Sequence, residues 1–170
     1  MSVVPGTSEA HALSADERRG VYRAIYERRD VRAQFRPDQI PDEVFARLLQ
    51  AAHHAPSVGF MQPWNFIVIR DRGVRAAVRD GFLRERARAA AHYDEPQRSQ
   101  FLALKLEGIL DAPLNLCVTC DPTRGGPHVL GRSAIRETDV YSTCCAVENL
   151  WLAAPRGRNR CRLGEHRAAR

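Results

Sequence analysis

The stretch "ERRDVRAQF", residues 27–35, places Arg28, Arg29 and Arg32 within five positions where a helix gives way to a loop. Planar guanidinium forks gathered this closely can converge on one anion, and a phosphate monoester matches their geometry. The competing reading is a solvated helix end whose arginines pair with Glu27 and Asp30. A second stretch, "APSVGFMQPWNFIVIRD" at 55–71, uses Pro56 and Pro63 to fix a loop in which Ser57, Gln62 and Asn65 stand beside Phe60, Met61 and Trp64. Apolar faces with donors and acceptors along one edge suit a flat polar heterocycle. The alternative makes Met61 and Trp64 core residues and Ser57 the cap of a turn.

Positioning these groups takes helices and strands that the pattern marks out. Ser14 and Glu17 form a capping-box pattern, which predicts a helix running to about Arg29. A second helix opens at Pro41, carries Val44, Leu48 and Ala51/Ala52 on one face, and stops before Pro56. Residues 65–71 read as a strand of the buried type with Asp71-Arg-Gly73 as its turn. Helices are expected over 74–93 and from Gln97 to Asp111, then a strand over 114–120 and the turn-rich loop "DPTRGGPHVLGR". That loop lacks the strand-to-helix context of a nucleotide fingerprint and reads as a loop or lid. Val140, Cys144, Val147, Leu150, Trp151 and Ala154 step at three and four through a last helix with few charges, which calls for burial on more than one side. The order of elements is α+β. The chain divides into a flexible N-terminus over 1–13, one domain over 14–154, and a basic tail over 155–170.

At 170 residues and 44% apolar content, one domain with a substantial core is expected. The formal charge is +6, but residues 156–170 hold six arginines against one glutamate; without them 20 basic face 19 acidic residues, a balance of +1. That argues against a nucleic-acid partner. No apolar run approaches the roughly 18 residues of a membrane span, so no membrane partner and a cytoplasmic location are expected. Five cysteines, an odd number, fit a reducing compartment. Cys117 and Cys120 lie three apart in a strand and point to opposite faces, so buried structural cysteine is the expectation and no metal site. His53, His54, His92 and His128 show no metal spacing.

Taken together, "RRDVRAQF" and "APSVGFMQPW" resemble the FMN-dependent nitroreductase superfamily, where Arg-Arg-Ser-x-Arg-x-Phe holds the flavin phosphate and ring edge and Ala-Pro-Ser-x-x-Asn-x-Gln-Pro-Trp lines the isoalloxazine. Asp30 replaces the usual serine and Phe60 the usual asparagine. Those departures, with "ALKLEGI" (103–109), "APLNLCVTCDPTRGG" (112–126), "VLGR" (129–132) and "DVYSTCCAVENLWLAA" (139–154), resemble the 5,6-dimethylbenzimidazole synthase branch. The resemblance implies a nitroreductase-like FMN-binding fold and an intertwined homodimer with flavin at the subunit interface. It also implies that reduced FMN is both cofactor and substrate. Molecular oxygen is the co-substrate, a flavin reductase supplies the reduced flavin, and the products are dimethylbenzimidazole and erythrose 4-phosphate. By position it implies that Arg28, Arg29, Asp30, Val31, Arg32, Pro56, Ser57, Gln62 and Leu106 contact the flavin, with Asp30 catalytic. A carboxylate near the ring can shuttle protons, and the flanking arginines keep it ionised. An ion pair that orients Arg28 or Arg32 is the other role open to Asp30. The competing functions are an NAD(P)H-dependent nitroreductase or dehalogenase of the same fold and a non-catalytic flavin- or nucleic-acid-binding module.

The resemblance further implies a continuation like "REAGIGVGWVSI", whose serine is a second catalytic residue; the chain instead reads "PRGRNRCRLGEHR" after Ala154. Permitted codons for that peptide, read one base later, spell REAGIGVGWVSIV. A shifted frame from about Pro155, a fold incomplete beyond Ala154 and impaired catalysis are therefore expected.

Overall fold

The computed structural model describes residues 12–29, 31, 35–105 and 107–154. Helix α1 spans Ala15–Glu27. Its start is fixed reciprocally: the Glu17 amide donates to Ser14 Oγ at 3.3 Å, and the Ser14 amide donates to the Glu17 carboxylate at 2.7 Å. The Ser14 side chain first, and the Ser14 amide second, hold the Glu17 carboxyl below its ordinary range. Helix α2 (Asp42–His53) leads through the 3₁₀ turn 58–60 into strand β1 (Trp64–Ile69). Asp71 is not part of a tight turn, as the sequence implied. Its carboxylate accepts the Val74 amide at 2.8 Å and caps helix α3 (Arg72–Ala90) directly.

Helix α4 (Gln97–Ala103) ends eight residues short of the expected Asp111. Leu104 is extended, at φ −68° and ψ 133°. The Arg86 guanidinium on α3 donates to the Leu102 and Leu104 carbonyls at 2.6 and 2.7 Å. Below it, Arg75, itself buried, donates to the carbonyls of Ile109, Ala112 and Pro113. Carbonyls that a longer helix would satisfy internally are thus taken by arginine forks, and the chain runs irregularly into strand β2 (Asn115–Cys120).

Strands β1 and β2 pair antiparallel, with Trp64 opposite Cys120, Phe66 opposite Val118 and Ile67 opposite Cys117. Helix α5 (Thr138–Ala153) packs on one face of this pair and against α2. Ala55, Trp64 and Ala146 form the centre, with Phe66, Val118 and Cys145 around it. Only one face of the sheet is covered by α5, which corrects the expectation of a strand buried on both sides: Ile67 and Cys117 are exposed on the other. Cys144 is exposed too, so buried structural cysteine holds for neither it nor Cys117.

The orientation of α5 is the largest departure from the pattern. Its buried residues are Thr138, Asp139, Ser142, Thr143 and Ala146, whereas Val140, Tyr141, Cys144, Val147 and Trp151 are exposed. Helix α1 likewise leaves Val21, Tyr22, Ile25 and Tyr26 exposed. The apolar stripe read from sequence faces outward because loops rich in backbone acceptors and donors claim the polar stripe. No described helix is long and apolar enough to cross a membrane.

Replacing Ser14 with alanine removes half of the reciprocal cap. Reduced helical circular dichroism and an upward move of the Glu17 carboxyl titration, followed by NMR, are expected; an unchanged titration overturns the cap.

Candidate functional site

Two of the sequence-selected clusters lie at opposite ends of α5. At its C-terminal end, Arg28 follows the last turn of α1 and stacks on Trp151, with Cζ 4.2 Å from the ring centroid. Among the described residues no hydrogen bond or ion pair takes up its guanidinium, and its planar fork has the geometry that an anion requires. Arg29 folds back instead, donating from one nitrogen to the carbonyls of Arg28 at 2.8 Å and Tyr26 at 3.2 Å. Val31 is exposed. Asp30, Arg32 and Leu106 lie outside the described residues. Phe35 nonetheless lies on Gly108, where any added Cβ would overlap its ring, so the end of the arginine segment meets the segment that carries Leu106.

Near the N-terminal end of α5 sits the 55–63 loop. Ser57 Oγ accepts the Gln62 amide at 3.0 Å, which brings two of the selected residues together across a five-residue turn. Pro56 is exposed at its start. Within the turn, Gly59, Phe60 and Gln62 have φ of 56°, 53° and 44°. Left-handed backbone at two non-glycine residues is a strained arrangement that persists only where its surroundings impose it. It leaves Phe60 81% exposed while Met61 and Trp64 are each 3% exposed. Met61 and Trp64 are therefore core, as the alternative reading had it. Trp64 Nε1 donates to His53 Nδ1 at 3.3 Å, and Gln62 Nε2 donates to the His53 carbonyl at 3.3 Å. His53 thus anchors the loop from α2.

The surroundings that impose this shape come from residues sequence reasoning passed over. The Val58 amide donates to Ser142 Oγ at 3.2 Å, and Ser142 Oγ donates to the Thr138 carbonyl at 2.6 Å. Arg124 donates to the Gln62 carbonyl at 3.1 Å, to the Trp64 carbonyl at 2.9 Å and to Asn65 Oδ1. Arg132 Nε meets Asp139 Oδ1 at 3.0 Å, with the two side chains 13% and 6% exposed. The remaining nitrogens of Arg132 donate to the carbonyls of Arg124 and Gly126, both at 2.7 Å, and to Met61 Sδ at 3.2 Å. Breaking one partner of such a buried pair costs about 3–5 kcal/mol. No spacing in the sequence singled out Arg132 and Asp139, since Arg136 and Glu137 between them are charged as well.

Asp121 opens the 121–132 loop. Its carboxyl is held below the ordinary range by the Thr123 hydroxyl first, then by the Thr123 amide, with smaller contributions from Arg124 and Arg132. The loop expected as a possible lid is thus tied down at several points. Val129 wedges between glycines: a Cβ on Gly59 would stand 2.6 Å from Val129 Cγ1, and one on Gly125 2.7 Å from Val129 Cγ2. A groove of about 550 Å³ opens beside Trp64, lined by Leu49, Gln50, His53, Asn65, Phe66 and Arg124. The Arg124 guanidinium there is already occupied by the loop carbonyls. Among the described residues no group of three or more His, Cys, Asp or Glu could hold a metal ion.

Gly59→Ala is expected to cost about 1–3 kcal/mol, combining left-handed strain with the Val129 clash. Gly126, also left-handed at φ 78° but with open space around it, serves as the comparison. Urea denaturation of both alanine variants checks this, and equal losses overturn the wedge.

Residues 25–156 match the nitroreductase family. A 5,6-dimethylbenzimidazole synthase from Rhodospirillum rubrum is 46% identical over 127 residues, which cover 75% of this chain and 60% of the relative. The chain thus spans about three fifths of that relative. A BluB-like flavoprotein from Clostridium difficile 630 superposes with a TM-score of 0.58 at 21% identity, over 78% of this chain and 68% of that one. An oxidized iodotyrosine deiodinase bound to FMN and 3-iodo-L-tyrosine superposes with a TM-score of 0.60 at 22% identity, over 78% and 67%. The two superpositions establish a common fold.

Proposed function

The chain belongs to the nitroreductase family, and we propose that it is a 5,6-dimethylbenzimidazole synthase, acting on reduced FMN with molecular oxygen. The observation that carries this reading is the 46% identity to a synthase of that name across three quarters of the chain. The described residues fit a flavin phosphate ester at one end and a ring at the other. Arg28, stacked on Trp151, is the phosphate ligand together with Arg32, and Arg29 joins them on turning from the carbonyls it holds here. Ser57, Gln62 and the exposed Phe60 form the rim for the ring, with Pro56 fixing the loop's entry, and the resemblance adds Val31 and Leu106 as flavin contacts. Ser142 and Trp151 are nine residues apart on α5, about 13 Å along its axis. The ends of one flavin mononucleotide would lie apart on that scale, or a second copy would complete each end.

Bound FMN supplies the redox chemistry toward oxygen. The residues of the chain bind, orient and move protons: Asp30, between the phosphate-binding arginines in sequence, is the proton shuttle. The outward apolar faces of α1 and α5 are the surface through which two copies pair, so that the flavin lies at a subunit interface. A separate flavin reductase supplies the reduced flavin.

The test is to mix the chain with reduced FMN, admit air, and separate the products by chromatography. 5,6-Dimethylbenzimidazole is expected in reduced yield, because the stretch after Ala154 departs from the family pattern that carries a second catalytic serine, and the change equivalent to Asp30→Asn in a homologue that keeps that pattern is expected to keep FMN affinity while lowering product formation about a hundredfold or more. Intact oxidised FMN together with reduction of a nitroaromatic by NADPH supports an ordinary nitroreductase instead, and equal product from Asp30→Asn removes Asp30 from the chemistry.

A further inference from the structure

We propose that Arg132 is a positioning residue that sets the shape of the 57–62 loop through Arg124; this rests on the proposed role of that loop as the rim for the flavin ring. The chain of contacts is continuous. Asp139, buried one turn before Ser142 on α5, orients the Arg132 guanidinium through its Nε at 3.0 Å. The other two nitrogens of the fork then hold the carbonyls of Arg124 and Gly126 at 2.7 Å. With its own carbonyl fixed, Arg124 lies where its guanidinium reaches the carbonyls of Gln62 and Trp64 and the Asn65 side chain. Gln62 is one of the residues held left-handed, at φ 44°.

The same bracket acts on the other end of the loop. Arg132 touches Met61 Sδ at 3.2 Å, and Val129, inside the segment it closes, fills the space beside Gly59 and Gly125. Gly131, at φ 87°, has room for no Cβ because Val58 Cγ1 would stand 2.8 Å away. One buried guanidinium therefore connects α5 to both sides of a strained, ligand-facing turn. A planar fork serves three acceptors at once in fixed directions; an ammonium at the same place would keep the charge beside Asp139 but not that geometry.

Arg132→Lys tests the proposal because it keeps the ion pair and removes the fork. Amide hydrogen exchange by mass spectrometry, on the full chain, is expected to accelerate about tenfold or more in both 57–64 and 121–131, with α3 unchanged. FMN titration should show affinity weakened by about tenfold. Asp139→Asn, which keeps the shape of the side chain but breaks the ion pair, should give the same regional pattern together with a lowered melting temperature, and decides the matter if the lysine variant does not fold. Faster exchange confined to 121–131, or a uniform rise that includes α3, overturns the proposal. If the parent chain binds no FMN, the proposed function fails, while exchange in 57–64 still decides whether Arg132 shapes the loop.

Discussion

The structure depends on a helix that buries its polar side. Thr138, Asp139, Ser142 and Thr143 of α5 face inward, and each buried oxygen needs a partner, since an unpaired one costs about 1–3 kcal/mol. Thr143 Oγ1 and Ser142 Oγ answer part of that demand by donating to carbonyls four residues back in the same helix. Asp139 and the remaining capacity of Ser142 are answered by other segments: Arg132 from the 121–132 loop and the Val58 amide from the 57–62 turn. Two loops distant in sequence are thereby brought to one helix, and the candidate ring-binding rim is built where they meet. Burial of Ala55, Trp64 and Ala146 adds the apolar contribution on the adjoining face.

Arginine does the connecting throughout. Arg75 and Arg86 on α3 bind carbonyls at the end of α4 and in the irregular 104–113 segment, Arg124 binds those of β1 and its approach, and Arg132 binds those of the turn before it. This explains how a chain with few regular elements satisfies its buried carbonyls. A guanidinium carries five donors in one plane, so a single side chain replaces several backbone bonds that a longer helix or wider sheet would have provided.

Much of the framework was legible in the sequence. Ser14 and Glu17 announced α1, the prolines bounded α2, and β-branched runs located both strands to within a residue or so. The candidate ligand-binding stretches were legible as motifs, through their resemblance to a family, and the Ser57–Gln62 bond shows one of them as a closed turn. Two features were not legible. Periodicity located the apolar stripe of α5 but carried no information on which side the rest of the chain would cover, because that is decided by distant polar partners. The early end of α4 was hidden for the same reason: Phe101 and Leu104 continue a helical pattern, and Arg86, eighteen residues earlier, takes up the carbonyl of the extended Leu104.

Val129 has a wider consequence. Because its two methyl groups occupy the space beside Gly59 and Gly125, the 57–62 and 125–131 loops are one interlocked object rather than two. Any attempt to re-tailor the ligand preference of this scaffold by grafting or randomising the first loop must carry the second along with it. Natural drift in the two should be correlated, with a bulkier residue at one glycine accompanied by a smaller one at the valine.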